Sequence, residues 1–167
     1  MRLVRFQIVI LLLAAFVATA YSNTALISPD SDDVVVANFE AEIYNRINRE
    51  RVRTKRSLLI WDERLAEIAR GYSREMASQG FFGHSDPNGR KVQDRIEMAR
   101  IRNWRKVGEN LFWVESRDNF SPLAVRLWMD SPSHRDNILD RDWKSTGIGV
   151  WRSENGRFYV TQIFLSD

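Results

Sequence analysis

The order of elements in this 167-residue chain predicts an α+β fold. Segments with helical apolar spacing crowd the front of the chain, and a strand pair closes it. The pair is joined through Asn155-Gly156, a strong short-range hairpin signal. A bare hairpin is only marginally stable in water, so helices must cover the sheet's faces.

Residues 1–20 read as a secretory signal. Arg2 and Arg5 precede an apolar run from Ile8 to Val17, and Ala18-Thr19-Ala20 is a small-x-small cleavage site. The run is short for a membrane span, which takes about 20 residues, so no stable span is expected after cleavage. The chain is therefore expected outside the cell or in a periplasm. Residues 21–37 read as a linker or N-terminal arm, with Val34-Val35-Val36 as a candidate edge strand, and residues 38–167 as one domain. The chain has no cysteine, so thiol nucleophiles, thiolate metal sites and disulfide scaffolds are excluded. Its formal charge of +3 includes Arg2 and Arg5 of the signal. A nearly neutral remainder carries no electrostatic footprint for nucleic acid. Two basic runs, Arg46 to Arg56 and Arg95 to Lys106, read as solvated helix faces.

The first helix is expected from Asn38, as N-cap, to about Arg53, with Phe39, Ile43 and Ile47 as its apolar stripe. Leu58 to Trp61 is an apolar anchor. Asp62 caps a second helix that runs to about Gln79, where Gly80 supplies the stop. Its face is Leu65, Ile68, Ala69, Tyr72 and Met76. His84 falls just past its end, in a turn-rich loop containing Asp86-Pro87-Asn88-Gly89. A short third helix is expected over Lys91 to about Arg100. Two strand-like segments then flank a bend at Gly108-Glu109-Asn110. Ser121-Pro122 reads as an N-cap with proline in the first turn of a fourth helix, which Pro132 ends or restarts, with His134 beyond. The strands of the hairpin are 146–151 and 157–164. The alternating Gly147 and Gly149 imply that another part of the chain packs closely there.

The chain has only two histidines, His84 and His134, and Glu109 lies between them in sequence. Two neutral imidazoles and a carboxylate suit Zn²⁺ or another divalent metal with an open fourth position. The same histidines also suit a plain structural role, bridging backbone groups near helix ends. A serine-type arrangement has candidates in Ser85, Ser131 and Ser133, but no Gly-x-Ser-x-Gly elbow marks a nucleophile. Ser85 and Glu109 are the catalytic candidates. Of the six tryptophans, Trp61 and Trp128 read as core, while Trp104 and Trp113, flanking Glu109, are candidate pocket walls together with Asn110.

Five ordered motifs carry a resemblance. Phe82-Gly83-His84-Ser85-Asp86-Pro87, Gly108-Glu109-Asn110-Leu111, the stretch from Trp128 through Ser131-Pro132-Ser133-His134-Arg135 to Asn137-Ile138-Leu139, Thr146-Gly147-Ile148-Gly149-Val150 and Tyr159-Val160-Thr161-Gln162-Ile163-Phe164 resemble the CAP superfamily. This is the SCP-like or pathogenesis-related-1-like extracellular domain, here in its bacterial form. The resemblance implies a three-layer α-β-α sandwich with a small central antiparallel sheet and a cleft of two histidines and acids, sometimes holding a divalent metal. In eukaryotic members the second histidine precedes Tyr-Thr-Gln on the last strand. Tyr159 stands near that place here, and His134 is the bacterial-type substitute. The resemblance implies a secreted module binding an unknown extracellular ligand or protein. The alternative is a metal-dependent or serine-type hydrolase of peptide or cell-wall material.

Overall fold

The computed structural model describes residues 31–116 and 118–167; the expected signal and most of the arm lie outside them. Five helices and four strands follow one another as α1 (Ser31–Arg53), β1 (Ile60–Trp61), α2 (Glu63–Gln79), α3 (Val92–Met98), β2 (Lys106–Glu115), α4 (Ser121–Asp130), α5 (Pro132–Leu139), β3 (Ser145–Arg152) and β4 (Arg157–Ser166). The sheet order is β1-β3-β4-β2. The three long strands are antiparallel, and the two-residue β1 adds a short parallel edge to β3.

Strand alternation sorts the side chains into two layers. Phe112, Ile148, Val150, Phe158, Val160 and Phe164 pack with Ile43 and Ile47 of α1, Val125 and Trp128 of α4 and Ile138 of α5. On the other face Ile163 and Leu165 meet Leu65 and Ala69 of α2 and Val92 and Ile96 of α3. Tyr159 and Leu111 meet Tyr72 and Met76 of α2 on that face. The mixed architecture and its CAP-type layering are thus as expected.

α2 is held to the sheet by the two glycines of β3. A Cβ on Gly147 would sit 2.2 Å from the Ala66 nitrogen, and one on Gly149 would sit 2.0 Å from the Arg70 nitrogen. The helix backbone rests on the strand where side chains are missing, as their alternation implied. The ends of α2 are also as read: Asp62 Oδ1 accepts from Arg64 N at 3.0 Å, and Gly80 stands in the left-handed region at φ 69°.

Several local expectations are corrected. Val34-Val35-Val36 is helical, because α1 begins at Ser31, so Asn38 is interior and caps nothing. No bend interrupts Gly108-Glu109-Asn110: every residue from Lys106 to Glu115 pairs with β4. The glycine there relieves crowding instead, since a Cβ on Gly108 would lie 2.9 Å from the Trp143 ring. Ser121 is already helical, and its N–H donates to Asn119 Oδ1 at 3.0 Å, so the cap lies upstream of the serine. Pro132 opens a separate helix and His134 lies within it, not beyond a helix end.

Candidate functional site

β2 is a sheet edge, and its alternation splits the Gly-Glu-Asn motif. Glu109 pairs with Ile163 and shares its face, toward α2 and α3. Asn110 pairs with Gln162 and lies on the face of α4 and α5. The candidate site therefore wraps the outer edge of one strand, receiving one histidine from each helical layer.

His84 comes from the α2 side. Gly80 turns the chain out of the helix, and Phe81 packs edge-on against Tyr72 with ring centroids 6.0 Å apart. Tyr72 donates its hydroxyl to the Gly83 carbonyl at 2.5 Å, fixing the residue before His84. Burial pushes the Tyr72 phenol up to about 12, so it stays a donor throughout the physiological range. His84 Nδ1 then lies 2.8 Å from Glu109 Oε1.

The Glu109 side chain is only 2 % exposed, whereas that of His84 is 58 % exposed. Its other oxygen, Oε2, accepts from Arg95 at 2.5 Å. The Arg95 guanidinium carbon lies over the Tyr72 ring, 3.4 Å from its centroid. An ion-paired carboxylate can only accept, so His84 Nδ1 is the donor of this hydrogen bond.

His134 comes from the other layer. Its Nδ1 lies 2.9 Å from Ser131 Oγ, one helical turn back. Its carbonyl accepts from Asn110 Nδ2 at 3.2 Å, and Asn137 Nδ2 bridges the Glu109 carbonyl at 3.1 Å and Asn110 Oδ1 at 3.0 Å. Burial, and then the nearby His84, hold the His134 imidazole below its ordinary value. The strand thus orients one histidine with Glu109 and fixes the helix of the other with Asn110. Beneath α5, the fully buried Arg51 donates to the Ile138 and Asp140 carbonyls at 2.7 and 2.9 Å, capping that helix from α1.

The other expected residues fall differently. Tyr159 is buried among Tyr72, Met76 and Leu111, and Trp104 packs at the rim of the α2–α3 core. Both are packing residues because their strand and loop positions face helices. Trp113 is exposed, but it lies four residues along β2 from Glu109, about 13 Å away, under Arg157. Among the described residues Ser85 forms no hydrogen bond with either imidazole; the serine that touches one is Ser131, through local helical spacing. Among the described residues no group of three or more His, Cys, Asp or Glu side chains is arranged to hold a metal ion.

Sequence reasoning missed Arg95 and Arg51, reading both as solvated charge. Each sits on an apolar stripe. Arg51 continues Phe39, Ile43 and Ile47 at the same four-residue step, and Arg95 is three residues past the buried Val92. A charge at a core-facing helix position was the available signal.

Residues 44–164 match the model of the CAP family, described as the cysteine-rich secretory protein family. Among curated proteins the chain is 31 % identical over 128 residues to the Uncharacterized membrane protein YlbC of Bacillus subtilis, covering 75 % of this chain and 34 % of that one. It is 30 % identical over 141 residues to the Uncharacterized protein YkwD of the same organism, covering 84 % and 51 %. The chain therefore spans between a third and about half the length of these relatives. A crystal structure of an extracellular protein containing a SCP domain from Bacillus anthracis superposes with a TM-score of 0.73 at 27 % identity, covering 84 % of this chain and 44 % of that one.

Proposed function

This chain belongs to the CAP, or cysteine-rich secretory protein, family, and from that premise we propose that it is an exported binding module whose cleft at the β2 edge takes a divalent metal or a small polar ligand. No helix of the described residues is long and apolar enough to cross a membrane.

The observation that carries the reading is the commitment of Glu109. Both of its oxygens are used, one by Arg95 and one by His84, so it is no free general base and no open third ligand. In this reading a cation is held by two imidazoles, His84 and His134, with Glu109 orienting the first from behind. A carboxylate behind a histidine is the usual outer partner of a metal-bound imidazole. Zn²⁺ there would leave coordination positions for water or a ligand group. The hydrolase reading has less behind it: among the described residues Ser85 forms no hydrogen bond with either imidazole, and Ser131 meets His134 Nδ1 only as its neighbour one helical turn back.

Calorimetric titration of Zn²⁺ into the wild type, His84→Ala and His134→Ala tests the proposal. Saturable binding is expected in the wild type and its loss in both variants. Identical isotherms in all three would remove the metal from the reading. No turnover of peptides or peptidoglycan is expected, with or without chelator.

A further inference from the structure

At the sheet edge opposite the histidines lies a second surface with its own chemistry. The outer side of β3 is covered by β1 only at Ser145 and Thr146. Beyond that, Trp151 emerges on the α2 face with 39 % of its surface exposed. The Arg74 guanidinium lies 5.5 Å from the centre of its ring. Two hollows meet at this indole. One, of about 420 Å³, is bounded by Val36, Ala37 and Glu40 of α1, Arg70 and Val150 to Arg152. The other, of about 580 Å³, lies between Arg74, Ala77 and Ser78 of α2 and the hairpin loop as far as Asn155. From Arg70 to Ser78 the track follows α2 for about 12 Å.

We propose that this track, centred on Trp151, binds an uncharged oligosaccharide. The exposed part of the indole, beside the Arg74 guanidinium that lies over the ring, offers apolar surface to the C–H face of a sugar. The Ser78 hydroxyl and the Asn155 amide border it with groups of the kind that hydroxyls require, while the Ser153 hydroxyl is held within the hairpin by Asn155 Oδ1 and Arg157. The charges do not favour a polyanion: Arg70 is bound by Glu40 and Glu63, and Glu154 stands in the second hollow with the arginines. An added peptide strand is blocked, because the Val150 N–H is already donated to Glu40 Oε1 at 3.0 Å. A lipid tail would meet polar groups along the second hollow. The two ends of the track, on either side of the indole, suit a chain of several sugar rings rather than one.

The experiment is affinity electrophoresis through gels containing a soluble neutral β-glucan, with calorimetry against cellohexaose and chitohexaose. Saturable binding of at least one oligosaccharide is expected in the wild type. Trp151→Ala should weaken it about tenfold or more, and so should Ser78→Trp, which fills the second hollow from an exposed helix position. His84→Ala should bind as the wild type does, so this test stands or falls separately from the metal site. The proposal is overturned if neither sugar binds, if both Trp151→Ala and Ser78→Trp bind undiminished, or if His84→Ala abolishes binding. It is equally overturned if the wild type binds only sulfated glycans or anionic vesicles.

Discussion

Glu109 is a single side chain with two partners of different kinds, and its site depends on both being present. Arg95 holds one oxygen and so leaves the other for the Nδ1 proton of His84. Arg95→Met should therefore release the ring into the mixture of tautomers that a free imidazole shows. Long-range ¹⁵N–¹H NMR of His84 reads this directly: the wild type should show a protonated Nδ1 bonded to Glu109. The same variant leaves a buried carboxylate without its cation, at a cost of about 3–5 kcal/mol in urea unfolding. Finding mixed tautomers already in the wild type would break this link between Arg95 and the site.

His134 supplies the pH dependence at this scale. Its folded value is depressed below the ordinary 6.5, chiefly by burial. The unfolded chain then binds the proton more readily than the folded one, so stability is full above 6.5 and is lost as pH falls toward the folded value. Unfolding midpoints measured from pH 7.5 down to pH 5 should fall more steeply for the wild type than for His134→Gln. Parallel curves would show that this ring does not contribute.

Among the elements, α5 carries the most consequence for the least length. It has eight residues and contributes one buried apolar side chain, Ile138. Packing alone holds so short a helix weakly. Polar contacts at its two ends do the rest: Asn110 and Asn137 tie it to β2, and Arg51 caps its last carbonyls. Arg51→Met keeps the stem but abandons those carbonyls. About 2–4 kcal/mol should be lost, with hydrogen exchange rising first in 132–139. Uniform loss of protection across the sheet instead would make Arg51 a general core residue and not the cap of α5.

The molecule as a whole is registered by the contact between α2 and β3. That contact sets where the helix ends, and so where His84 emerges. Gly149→Ala places a methyl 2.0 Å from backbone that cannot yield as a side chain does. The helix must lift, costing about 3 kcal/mol or more, with weakening of any ligand held at the His84 loop. Thermal unfolding unchanged from the wild type would show that the layers tolerate sliding.

The sequence by itself determined the α+β class and the placement of α2 and the closing hairpin, because apolar periodicity, Asp62, Gly80 and Asn155-Gly156 act on their near neighbours. It also marked the histidines and Glu109, because they are scarce or sit in recognisable motifs. The tertiary structure decided what those residues face. Alternation along β2 sends Glu109 and Asn110 to opposite layers, but only the pairing with β4 reveals which layer is which. Arg95 and Arg51 looked like solvated charge until distant carbonyls and a carboxylate met them. Gly108 looked like a bend until the Trp143 ring filled the space its missing side chain leaves. Each of these depends on partners 14 to 89 residues away, and no local pattern encodes a partner that only folding delivers.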